Sequence, residues 1–156
     1  KNSLNLLAQA SPKLEGFEVE MEATHHGPFL KKPCMFIEIG SDEAHYKDEE
    51  AGEVVAATII DAIKNSGKAV KSVVGIGGMH HGPNFGKVML KEDYSVSYLC
   101  PKHQLQILDE EMLTQAIKKS SAEFVVLDWK GLGKEKTRII GMLDKLGVKQ
   151  MRTKEF

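Results

Sequence analysis

Residues Phe124-Val125-Val126-Leu127 form a run without a single polar side chain. A strand of that kind has no face to offer to water, so both of its faces must be covered, as happens in parallel sheets flanked by helices. The rest of the chain supplies the helices and further strands. Val73, Val74 and Ile76 read as a strand that runs into Gly77-Gly78, and Tyr94 to Leu99 as another. Met35-Phe36-Ile37, continuing past Glu38 to Ile39 and stopping at Gly40-Ser41, predicts a strand. Phe17, Val19, Met21 and Ala23 alternate with Glu18, Glu20 and Glu22, which predicts a half-exposed one. Apolar residues three and four apart predict the helices. The longest covers about 48 to 65, with Asp48, Glu49 and Glu50 at its positive end and Val54, Val55, Ile59 and Ile63 on its apolar stripe. Others hold Leu4, Leu6, Leu7 and Ala10 ahead of Ser11-Pro12, Met112 to Ile117 behind a capping Asp109, and Ile139 to Leu146 ahead of Gly147. The expected architecture is one α/β domain over residues 1–156, three-layered, with a mostly parallel sheet and helices on both faces. Ligands of such sheets bind at the carboxyl ends of the strands.

A chain of 156 residues buries enough surface to fold without covalent staples. Its two cysteines, Cys34 and Cys100, lack the Cys-x-x-Cys spacing of a metal or redox pair, so the expected setting is a reducing cytoplasm. No apolar run approaches the ~20 residues needed to span a bilayer, so no membrane partner is expected. A net charge of −1 gives no global attraction to nucleic acid, leaving any such binding to a local set of lysines. The start at Lys1, inside a helical pattern and without methionine, reads as a fragment.

One tetrapeptide occurs twice. His25-His26-Gly27-Pro28 follows the first expected strand and His80-His81-Gly82-Pro83 follows the third, which accounts for four of the six histidines. Glycine permits a close turn and proline stiffens the loop after it, so imidazoles at these places are held with little freedom. Neutral imidazole can ligate zinc or move a proton near pH 7. The plainer reading, exposed polar loop residues, is weakened by the repetition at equivalent places. His45 reads as a solvated loop residue and His103 as a weaker candidate. Glu22, three residues before His25, could orient a histidine or serve as general base, although it also continues the polar face of Glu18 and Glu20. Asp128 directly follows the most apolar strand. Trp129 could stack on a base or simply pack, and Lys102 and Lys130 could meet phosphate. Gly75-Ile76-Gly77-Gly78 lacks the dinucleotide spacing and supports close backbone approach alone.

Taken together, Glu22-Ala23-Thr24-His25-His26-Gly27-Pro28, Phe36-Ile37-Glu38-Ile39-Gly40-Ser41, Gly75 to Gly78 with His80 and Pro83, and Asp128-Trp129-Lys130-Gly131 resemble the D-aminoacyl-tRNA deacylases of archaeal and plant type. The resemblance implies hydrolysis of the ester between a D-amino acid and tRNA, as proofreading, with zinc as the associated metal. It implies a fold similar to peptidyl-tRNA hydrolases and phosphorylases, and a chain that is the carboxyl-terminal part of a longer deacylase. The site residues implied are His25, His26 and His80 as metal ligands and, with Glu22, as catalytic groups. Gly77, Gly78, Lys102, Asp128, Trp129 and Lys130 would meet the tRNA substrate. His81 and His103 stand where the family carries other residue types, so the resemblance ranks them lower. Two alternatives remain: a phosphorylase-like phosphate-binding enzyme and a non-catalytic tRNA-binding module.

Overall fold

The computed structural model describes residues 1–25, 30–32, 34–65 and 70–156. Its contacts divide the chain into two compact units. The larger comprises Lys1, Glu20–Ala23 and Val70–Phe156, and holds a four-stranded, fully parallel sheet. Its strands are β1 (Lys71–Ile76), β2 (Tyr94–Cys100), β3 (Phe124–Leu127) and β4 (Gln150–Arg152), in the order β2-β1-β3-β4.

Alternate residues of β1 and β3 enter two separate cores. Val74, Ile76, Val125 and Leu127 pack with Leu113, Ile139, Met142 and Leu143. These last four belong to helices we label α5 (Glu110–Ser120) and α6 (Lys136–Lys145). Val73, Phe124 and Val126 pack instead with Phe85 of helix α4 (Pro83–Lys91). The sheet therefore has helices on both faces, and the three-layer α/β expectation holds. All four β3 residues are buried, as their uniformly apolar character requires, and each such side chain contributes about 1.5–3 kcal/mol. Gly75 makes room for Phe85: a Cβ there would come within 3.1 Å of its ring.

Two expected strands do not form. The stretch from Phe17 to Ala23 has no place in the sheet. Its end is held by other means: the Ala23 N–H donates to His80 O over 2.9 Å, and Met21 packs on the core around Phe85. Alternation recorded which side chains are buried, but the backbone found a loop to bind rather than a ladder. Met35 to Ile39 is likewise outside any strand, with Met35 and Phe36 exposed. The strand ends of the sheet are thus Ile76, Cys100, Leu127 and Arg152, and neither Ala23 nor Ile39 is among them. One α-helix and one strand of this unit escaped the pattern reading. Helix α4 was signalled by Pro83 at its first turn and by Phe85, Val88 and Met89 at helical spacing. Strand β4 is three residues long and half-buried, too short to carry a period.

Among the described residues of the smaller unit, Asn2–Val19 and Thr24–Ala69, the regular elements are helices. Helix α1 (Asn2–Ala10) packs on α3 (Glu49–Lys64), which follows the one-turn helix α2 (Glu43–Tyr46). Asp48 caps α3 by accepting from the Ala51 N–H at 2.8 Å. The helix is where periodicity put it, but its burial is not. Ala51 and Thr58 are its buried residues, while Ile59, Ile60 and Ile63 are 42%, 52% and 68% exposed. A stripe of apolar residues fixes a face and leaves open what covers it. Among the described residues no helix is long and apolar enough to cross a membrane.

Candidate active site

At the carboxyl edge of the larger unit's sheet, three loops meet. The first leaves β1 through Gly77 and Gly78, whose φ angles of 94° and 77° lie in the left-handed region that glycine tolerates. The second leaves β2 at Cys100 and the third leaves β3 at Asp128. Their backbones interlock: Gly77 N–H donates to Cys100 O (2.8 Å), Lys102 N–H to Gly78 O (2.9 Å), and Asp128 N–H to Ile76 O (3.0 Å). A Cβ at Gly131 would lie 2.0 Å from Gly78 N, so only glycine allows this approach. With its amide engaged by Cys100, Gly77 shapes the loop rather than offering a donor.

Beyond the glycines stands His80, its ring half-buried. Its Nε2 lies 2.9 Å from Glu22 Oε1, delivered by the extended segment that ends in the Ala23-to-His80 hydrogen bond. The Ala23–His80 backbone bond and the Glu22–His80 side-chain bond thus tie together stretches far apart in sequence, with 58 positions between Glu22 and His80. Next to it, His81 Nδ1 lies 3.0 Å from Glu20 Oε2. The parity that predicts a solvated strand face for Glu20 and Glu22 instead sets them both against the histidine loop. The His80 ring centroid is 5.6 Å from that of His81 and 5.7 Å from that of His103. His103 is therefore a neighbour of His80, a closeness for which the sequence offered only its place after β2.

The 3₁₀ segment Lys102–Ile107 that carries His103 is anchored from behind. Arg138 of α6 donates from Nη1 to Leu108 O at 2.8 Å and from Nη2 to Leu105 O, while its Nε meets Glu135 at 2.8 Å. On the third loop, Asp128 Oδ2 accepts from Asn84 Nδ2 (2.8 Å) and Oδ1 from the Gly131 N–H (3.1 Å). Asn84 was not foreseen, since nothing in sequence links the first turn of α4 to the end of β3. Trp129 packs against the core beneath α5 and α6, and its ring holds Arg152 at 3.7 Å and Lys136 at 4.6 Å. Lys102 and Lys130 are exposed on their loops.

His25 is exposed and belongs to the smaller unit, two residues beyond Ala23 in the chain. His26, with Gly27 and Pro28, lies outside the described residues. His45 is not a loop residue: it sits in α2, its Nδ1 2.6 Å from Asp42 and its ring edge-on to Phe17 at 5.3 Å. The bond to His45 holds the Asp42 carboxyl below the usual carboxylate range. Cys100, beside the glycine loop, has its thiol pushed up to about 11 by burial, which makes it a poor nucleophile at neutral pH.

Known proteins resemble this chain over most of its length. The family model described as D-aminoacyl-tRNA deacylase matches residues 1–151. Curated relatives named D-aminoacyl-tRNA deacylase include one from Methanococcus maripaludis, 42% identical over 143 residues, covering 88% of this chain and 56% of the relative. One from Methanocaldococcus jannaschii is 37% identical, covering 90% and 56%, and one from Archaeoglobus fulgidus is 34% identical, covering 99% and 56%. The chain thus spans little more than half the length of these relatives. A crystal structure of a conserved protein of unknown function superposes with a TM-score of 0.90 at 34% identity, covering 99% of this chain and 55% of that one. With a match that runs almost from end to end, the chain belongs to the D-aminoacyl-tRNA deacylase family.

Proposed function

We propose that this chain carries hydrolytic groups of a D-aminoacyl-tRNA deacylase, cleaving the ester between a D-amino acid and the terminal ribose of tRNA. The observation that carries the reading is the Glu22–His80 pair, 2.9 Å apart beside a glycine loop at the carboxyl edge of a parallel sheet. An aminoacyl ester is already reactive, so the site has to position water, take its proton and favour the oxyanion. Without a metal, Glu22 accepts from the His80 Nε2–H and so fixes the ring and its tautomer, and the other ring nitrogen of His80 takes the proton of the attacking water. His103, 5.7 Å away, completes an imidazole-rich wall. Lys102 and Lys130 would meet tRNA phosphates, and Trp129 would contribute through the cations on its ring.

The donor chemistry fits zinc. Tetrahedral zinc with bonds of about 2.0–2.2 Å sets two ligand atoms roughly 3.3 Å apart, close to the separation of Glu22 Oε1 and His80 Nε2. His25 is proposed as a third ligand, because two residues of chain keep its Cα within about 7 Å of Ala23, which is itself bonded to His80. His26 is proposed as a fourth. Bound zinc would polarise the ester carbonyl and acidify a bound water.

The test is to incubate the zinc-supplied protein with D- and L-tyrosyl-tRNA and follow ester loss. The D-ester is expected to disappear selectively, and His80→Ala or Glu22→Gln to slow it by roughly 10²–10⁴-fold. Bound zinc should fall in His25→Ala and His80→Ala and stay level in His45→Ala. Equal hydrolysis of both isomers, or of neither, overturns the assignment; unchanged zinc in all three variants removes the metal from it.

A further inference from the structure

The Asp128 carboxylate is not accounted for by the hydrolytic groups. It sits half-buried where β3 ends, next to the point at which strand order reverses between β1 and β3. Both groups that hold it, the Asn84 amide and the Gly131 N–H, are neutral. They occupy one lone pair on each oxygen, whereas an ionised carboxylate offers about four acceptor sites. Among the described residues it forms no ion pair, unlike Glu20 and Glu22, which meet histidines. A half-buried charge whose protein partners are all neutral is best completed by a cation from outside. The carboxylate also lies close to the loop that becomes the catalytic one. A Cβ at Gly78 would be 2.9 Å from Asp128 Oδ2, and His80 follows two residues later.

We propose that Asp128 binds the α-ammonium group of the esterified amino acid, and that Asn84 is the positioning residue that aims it. This rests on the deacylase reading and adds the group by which the aminoacyl end is recognised. The α-nitrogen is two bonds from the ester carbonyl carbon, so an acid on the loop adjoining His80 can hold it while the carbonyl is attacked. Two consequences follow. A free amine carries a positive charge and an N-acylated one does not, so the site prefers aminoacyl over N-acylated esters. A chiral carbon is read through three fixed contacts; with the carbonyl and the ammonium both held, the side chain of one isomer alone points into open space.

Binding of a stable mimic tests this without requiring turnover. The probes are 3′-deoxy-3′-(D-tyrosylamino)adenosine, whose amide resists hydrolysis, and its N-acetyl derivative, titrated calorimetrically into the whole chain. The free-amine probe should bind more tightly by roughly 10- to 100-fold, the effect of one hydrogen bond between charged groups. Asp128→Asn keeps the shape and removes the charge, and should abolish the preference. Asn84→Ala, on the exposed first turn of α4, should reduce it with no change in melting temperature, and so preserves the test if Asp128→Asn fails to fold. Glu20→Gln should leave it intact. Equal binding of both probes to the unmodified protein, or a preference that persists in Asp128→Asn and Asn84→Ala, overturns the proposal while leaving the deacylase reading standing. Binding of neither probe overturns both.

Discussion

Phe124–Leu127 and Phe17–Ala23 both read as strands, and only the first became one. The first is buried on each face by a different core, so its position is enforced by side chains from α4 on one side and from α5 and α6 on the other. The second meets one core through Met21, sets Glu20 and Glu22 against the histidine loop, and carries the Ala23-to-His80 backbone bond at its end. Two-sided burial dictates a strand because nothing else hides so much apolar surface while pairing the backbone. One-sided alternation dictates only an extended chain. The segment that failed as a strand is the one that delivers Glu22 to His80, so the departure from pattern coincides with the candidate chemistry.

The contrast can be broken by measuring stability. Leu127→Ala empties a site closed on all sides and should cost about 2–5 kcal/mol in urea unfolding. Gly131→Ala drives a methyl into the Gly78 backbone, and should cost about 1–3 kcal/mol while displacing the loop ahead of His80. Met21→Ala removes a half-buried side chain from the edge of a core, and a loss of about 1–2 kcal/mol is expected. Glu20→Gln, which cuts an exposed pair with His81, should change stability by less than about 1 kcal/mol. A Met21→Ala penalty as large as that of Leu127→Ala would show that the extended segment is as much a part of the fold as β3. A Glu20→Gln penalty of that size would show that its acids, not its apolar residues, hold it.

How much of the site was legible follows the same division. Asp128, Gly77, Gly78 and Lys102 were placed correctly at one edge because each adjoins a strand end that its own sequence announces. Glu22 was visible as an acid near histidines, yet its neighbours suggested a wet strand face, and only the fold turned it towards His80. Asn84 and the closeness of His103 to His80 were not legible. Both depend on where α4 and the Lys102–Ile107 segment come to rest, and Arg138, remote in sequence, holds the latter.

Sequence by itself determined the buried identity of β3, the caps at Asp48 and Asp109, and the glycines that let backbones touch. Each of these is a local demand: an apolar run must be covered, a helix start needs an acceptor, and a left-handed turn needs the residue without a Cβ. The tertiary structure decided what covers the Ala23 end of the acidic segment, which acid meets which histidine, and which amide holds Asp128. Those pairings form between groups up to 61 residues apart, where side-chain type sets what partner is acceptable and the packing of the sheet and helices sets which partner is within reach.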